Sequence, residues 1–138
     1  MNSRPHERLK AWIEAISLVK AIYRETGGFP EQERYGLTGQ LRRASVSIPT
    51  NIAEGAARHS TPEFLRFLYI SRGSLSEIET LLVIATELKF LPEERYKLLS
   101  SQCHTIGRLL DGLIKSLRTQ SVSEDDGIYE ASSESLPS

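Results

Sequence analysis

Residues 40–58 read QLRRASVSIPTNIAEGAAR, and on a helix Arg43, Ser47, Asn51, Glu54 and Arg58 share one stripe. Glu63, Arg66, Gly73 and Glu77 line up in the same way on the segment that follows. Guanidinium groups pair with planar oxyanions through two parallel hydrogen bonds, and those oxyanions are either carboxylates or phosphates. Two readings follow. An Arg–Glu network would fix the register of neighbouring helices or subunits, whereas a groove of guanidinium groups would present them to a polyanion. Both stay open on these residues alone.

The same segment carries Pro49 and Gly55, although interior Pro costs about 3 kcal/mol and interior Gly about 1 kcal/mol relative to Ala. Pro49 should bend the helix by removing the bond to the Ser45 carbonyl, and Gly55 suggests close approach of another backbone. Val46, Thr50, Ala53 and Ala57 form a second, small-residue stripe roughly opposite Leu41 and Ile48. A helix with two such stripes calls for two packing partners, so these four residues are the candidate oligomer interface.

Catalytic chemistry finds little support in the inventory. A di-iron bundle needs Glu-x-x-His pairs on two helices, and the chain has none. His6, His59 and His104 have no ligand spacing, and Gly27-Gly28 ends a helix rather than cradling a phosphate. Neither a metal nor a cofactor is expected. Cys103 is the lone cysteine and lies on an apolar stripe, which reads as a small core residue and fits a reducing cytoplasm.

The elements that must position these residues are helical, and at 138 residues they form one domain. The spacing predicts helices over about 7–26, 37–57, 62–89 and 92–118. Their stripes are Leu9, Trp12, Ile13, Ile16, Val19 and Tyr23; then Leu37, Leu41, Ala44, Ile48, Ile52 and Gly55; then Phe64, Leu68, Ser71, Leu75, Ile78, Leu82 and Ala85; and finally a heptad run from Tyr96 to Leu117. Gly27-Gly28 should stop the first helix, Phe29-Pro30 should open a connector with a short helical turn, and Thr61 should cap the third. Four amphipathic helices with short connections predict an all-α, antiparallel up-down-up-down bundle over 1–118. Residues 119–138, Ser-rich and acidic, read as a disordered tail. No apolar run reaches bilayer length, and the polar start of the chain carries no signal-peptide pattern.

The net charge of −1 conceals an asymmetry. All 17 basic residues lie at or before Arg118, against 13 of the 18 acids; the other five are Glu124, Asp125, Asp126, Glu130 and Glu134. Between Arg34 and Arg72 stand six arginines, no lysine, and only Glu54 and Glu63.

In order, Phe29-Pro30, Glu33, Tyr35-Gly36-Leu37-Thr38, Gln40-Leu41-Arg42-Arg43-Ala44, Ser47-Ile48-Pro49, Asn51-Ile52-Ala53-Glu54-Gly55, Arg58, Ser60, Glu63-Phe64, Arg66-Phe67-Leu68, Ile70, Gly73-Ser74-Leu75 and Glu77-Ile78-Glu79-Thr80 resemble the bacterial four-helix-bundle family named for proteins encoded within intervening sequences of 23S ribosomal RNA genes. The resemblance covers about Arg8 to Arg118. It implies a homopentameric ring and a more distant relation to the accessory variability proteins of diversity-generating retroelements, which are basic pentamers that partner a reverse transcriptase.

By position it carries over Arg42, Arg43, Asn51, Glu54, Arg58, Arg66, Glu77 and Glu79, without dividing them between ring and ligand. The arginines Arg42, Arg43, Arg58 and Arg66 are the candidate nucleic-acid contacts, and Ser47, Asn51, Glu54, Glu63, Glu77 and Glu79 the candidate structural polar network. The expected function is a non-enzymatic, oligomeric scaffold that associates with RNA or DNA through phosphate contacts and is accessory to a nucleic-acid-processing protein. The alternative is an interaction module that binds no nucleic acid. No membrane association is expected.

Overall fold

The computed structural model describes residues 5–132. A 3-10 turn, Pro5–Arg8, leads into α1 (Lys10–Thr26), and a second turn, Glu31–Glu33, occupies the connector to α2 (Leu37–Ala56). Then come α3 (Thr61–Glu87) and α4 (Glu93–Ser132). Each helix packs on the next and α4 closes against α1, giving an antiparallel four-helix bundle with no strand among the described residues. The bundle has two ends. One holds the α1–α2 and α3–α4 connectors and is here called the Thr26 end. The other holds the α2–α3 connector and is called the Ser60 end.

The predicted stripes of α2, α3 and α4 are the core, with Leu41, Ile48, Ile52, Leu68, Leu75, Ile78, Leu82, Leu99, Ile106 and Leu110 sealed from solvent. On α1 the seam is rotated from the expected one. Ala11, Ala15, Leu18, Ala21 and Ile22 face inward, while Ile13, Ile16 and Tyr23 are exposed. The alanines let α1 lie close to its neighbours, a demand that a stripe drawn through the bulkiest residues misses.

The helix ends also differ in detail from the expected punctuation. Ser60, not Thr61, is the N-cap of α3: its Oγ accepts the Glu63 amide at 3.3 Å, the first half of an S-x-x-E capping arrangement. Gly27 does end α1, as its C-cap directly after Thr26, but without turning left-handed: its φ is −61°. The single non-glycine residue at positive φ among those described is Lys89 (67°), which follows the end of α3. There the Phe90 and Leu91 amides reach back to the Ala85 carbonyl.

Helix α4 continues to Ser132, past the boundary placed at Arg118. The backbone from Thr119 to Ser132 is helical where a structureless tail was expected. Extending a packed helix needs no new nucleus, and no proline interrupts the chain before Pro137. The last part of that tail, 133–138, lies outside the described residues.

Candidate functional site

Helix α2 places its polar residues toward very different neighbours. Arg42 reaches across to the C-terminus of α1. Its Nε donates to Thr26 Oγ1 at 2.9 Å, Nη2 to the Tyr23 carbonyl at 3.3 Å, and the guanidinium lies 4.6 Å from the Tyr23 ring centroid. Thr26, itself buried, donates its hydroxyl to the Ile22 carbonyl at 2.7 Å. Arg42 is therefore a side-chain cap, placing positive charge at the negative end of the α1 dipole. Arg43 is exposed, with its guanidinium beside Gly39; a Cβ there would come 3.1 Å from Nη1.

Ser47 and Asn51 join α2 to α3. Asn51 Nδ2 donates to the Ser47 carbonyl at 2.8 Å and to Ser47 Oγ at 3.0 Å, while Ser74 Oγ donates to Ser47 Oγ at 2.9 Å. Nearby, the buried Ser71 Oγ donates to the Ile48 carbonyl at 2.8 Å, on the turn that contains Pro49. The α2–α3 network is thus built from hydroxyls and an amide rather than from arginine–glutamate pairs. Of the nominated carboxylates, Glu54 pairs with Arg58, just past the end of its own helix, at 2.9 Å. Glu63 and Glu77 are exposed, and Glu79 is half-buried near Cys103.

Gly55 fixes how closely the two helices meet. A Cβ at this position would lie 2.8 Å from Phe64 Cδ1, 2.9 Å from Phe67 Cβ and 3.2 Å from the Phe64 carbonyl oxygen. That contact sets Phe67 at the Ser60 end, where the guanidinium groups of Arg58 and Arg66 lie 4.9 and 4.7 Å from its ring centroid. Both arginines remain exposed.

The small stripe of α2 lines an open groove of about 700 Å³ against α1. Val46, Thr50, Ala53 and Ala57 form one wall, with Trp12 and Ile16 facing them. Cys103 is fully buried; burial, and secondarily the charge of Glu79, pushes its thiol up to about 12. A thiol so protonated is a poor nucleophile.

The ion pairs between helices use residues that no stripe had marked. Arg72 meets Asp111 at 2.9 Å across α3 and α4, and Arg95 pairs with Glu25 across α4 and α1. Their partners lie 39 and 70 positions apart, so no single-helix periodicity signals them. Among the described residues no helix is long and apolar enough to cross a membrane.

Fold and polar arrangement together define a four-helix bundle with a closely packed α2–α3 core. Residues 7–112 match the family of 23S rRNA-intervening sequence proteins, and the chain belongs to that family. A solved structure of similar fold is a protein of unknown function from the S23 ribosomal protein family of Bacteroides thetaiotaomicron. It is 23% identical, with a TM-score of 0.69 over 76% of this chain and 98% of that one. No curated protein matches.

Proposed function

We propose that this protein is a non-catalytic helical scaffold that assembles with its own copies into a homopentameric ring and holds RNA or DNA by the phosphate backbone. In this role it is a cytoplasmic accessory to a nucleic-acid-processing protein. The observation that carries the reading is the gathering of Arg58 and Arg66 over Phe67 at the Ser60 end, both exposed. Backbone contacts of this kind position a strand without reading its sequence. Assembly is supported by two unlike apolar surfaces. One is the α1–α2 groove, and the other is the outward side of α3, where Ile70, Val83, Ile84 and, at the helix C-cap, Leu88 are exposed. Unlike surfaces suit head-to-tail contacts, which close into rings when the rotation permits.

Light scattering after size exclusion tests the assembly: the wild type should elute as an oligomer and Ala53→Arg as a smaller species. A monomeric wild type would remove the ring. Low-salt titration with RNA and single-stranded DNA tests the ligand. A variant ending at Arg118, which lacks the five tail acids, should bind more tightly than the full chain. Negligible binding by both would leave the alternative, an interaction module. That alternative is favoured by Arg42, which caps α1, and by the Arg58–Glu54 pair.

A further inference from the structure

We propose that the groove between α3 and α4 at the Ser60 end is a nucleotide site, seating one base of a single strand together with its flanking phosphates. The groove has a volume of about 600 Å³, lined by Tyr69 and Arg72 from α3 and by Asp111, Ile114, Lys115 and Arg118 from α4. That volume is within the range of small-molecule sites, roughly 300–1,000 Å³.

Its floor and walls divide the work. Ile114 is almost fully buried and supplies an apolar floor, whereas the Tyr69 ring is 48% exposed, an aromatic surface left uncovered beside it. Arg72 grips Asp111 with two nitrogens, at 2.9 and 3.5 Å, which ties α3 to α4 and neutralises the one carboxylate in the groove. Lys115 and Arg118 are exposed, and neither pairs with a carboxylate among the described residues.

The sequence explains the alignment. On α4, Arg108, Asp111, Lys115 and Arg118 recur at steps of three and four, which puts them on one face. On the antiparallel α3, Tyr69 and Arg72 are three positions apart and border the same groove. A strand held there would meet an open aromatic ring and two exposed cations.

An aromatic platform flanked by cations is the chemistry that binds unpaired bases: every base has a π-face to stack, and the cations follow the backbone. A paired base offers no free face, so a duplex fits poorly. This inference rests on the nucleic-acid reading above and gives it a ligand: a nucleotide within a single strand.

The test is fluorescence anisotropy of labelled 15-nucleotide DNA and RNA strands with the full chain at low salt. Adenosine monophosphate and a duplex of the same length serve as competitors. Tyr69→Ala should weaken strand binding on the order of tenfold and Tyr69→Phe little. Lys115→Gln with Arg118→Gln should weaken it comparably and make the salt dependence shallower by about 1.4, from ~0.7 per lost phosphate contact. The duplex should compete poorly, and the mononucleotide weakly but measurably.

Groove variants that bind like the wild type, while Arg58→Gln with Arg66→Gln binds weakly, would overturn the groove and leave the proposed function standing. Binding of the mononucleotide without the strand would overturn the single-strand assignment. No binding of any probe by the wild type would take down both.

Discussion

The two ends of the bundle employ the same residue type in opposite ways. At the Thr26 end, Arg42 caps α1 and Arg95 pairs with Glu25, so both guanidinium groups are held by the fold. At the Ser60 end, Arg66 and the Glu54-paired Arg58 crowd one aromatic ring, while Lys115 and Arg118 edge an open groove, all four exposed. The contrast teaches that a conspicuous residue is not thereby an available one. Arg42 and Arg43 are adjacent in sequence and identical in type. Only the first finds a helix terminus, a threonine hydroxyl and a tyrosine ring within reach.

The largest expected effect concerns what makes the Ser60 end possible. A methyl group at position 55 would collide with Phe67 Cβ and with the Phe64 carbonyl oxygen, neither of which can swing aside as a flexible side-chain tip can. Gly55→Ala should therefore push α2 from α3 and destabilise the fold by about 2–3 kcal/mol, read from urea denaturation. A neutral outcome would show that the helices part easily, and that Arg58 and Arg66 are not held over Phe67 by packing. Gly73→Ala is the matching control, because a Cβ there meets nothing within 4 Å.

How far this organisation could be read from sequence depends on the range of the interaction. Periodicity within one helix located four helices, the seams of α2 to α4, the close approach at Gly55 and the burial of Cys103. It misplaced the seam of α1, because alanines there face inward and isoleucines face out. It also could not show that Arg42 belongs to α1, nor that Tyr69 and Arg118 share a groove, since those neighbours come from separate helices. The Ser60 cap had a local signature in Ser60-Thr61-Pro62-Glu63, and a one-residue misreading moved it to Thr61.

Next in size is the Thr26 end itself. Arg42→Ala removes two charged hydrogen bonds and the cation at the α1 terminus, so a loss of about 1–2 kcal/mol is expected. Arg42→Lys should recover only part of it, because an ammonium cannot hold the forked geometry toward Thr26 and Tyr23. If Arg42→Ala melted like the wild type, the distinction between held and available arginines would fail at its clearest case.

A smaller change in the opposite direction is expected where α3 ends. Lys89 adopts φ 67°, a conformation that costs an L-residue roughly 1–2 kcal/mol and glycine little. Part of that gain is returned through the greater freedom of glycine in the unfolded chain. Lys89→Gly should thus stabilise the bundle by about 0.5–1 kcal/mol while leaving assembly and binding unchanged. An accompanying loss of nucleic-acid binding would mean that the Thr26 end also contributes a cation to the ligand.

The smallest stability effect is expected in the groove at the Ser60 end, and its smallness matters to the comparison. Lys115 and Arg118 are exposed and make no ion pair with the described residues, so Lys115→Gln and Arg118→Gln should each shift stability by no more than about 0.5 kcal/mol. The neighbouring Arg72→Gln, which breaks the fork with Asp111, should cost no more than about 1 kcal/mol because that pair is solvent-exposed. If Lys115→Gln or Arg118→Gln cost as much as Arg42→Ala, their charges would have to be satisfied within the bundle. The groove would then be built like the Thr26 end, with neither of its two cations left over to meet a phosphate.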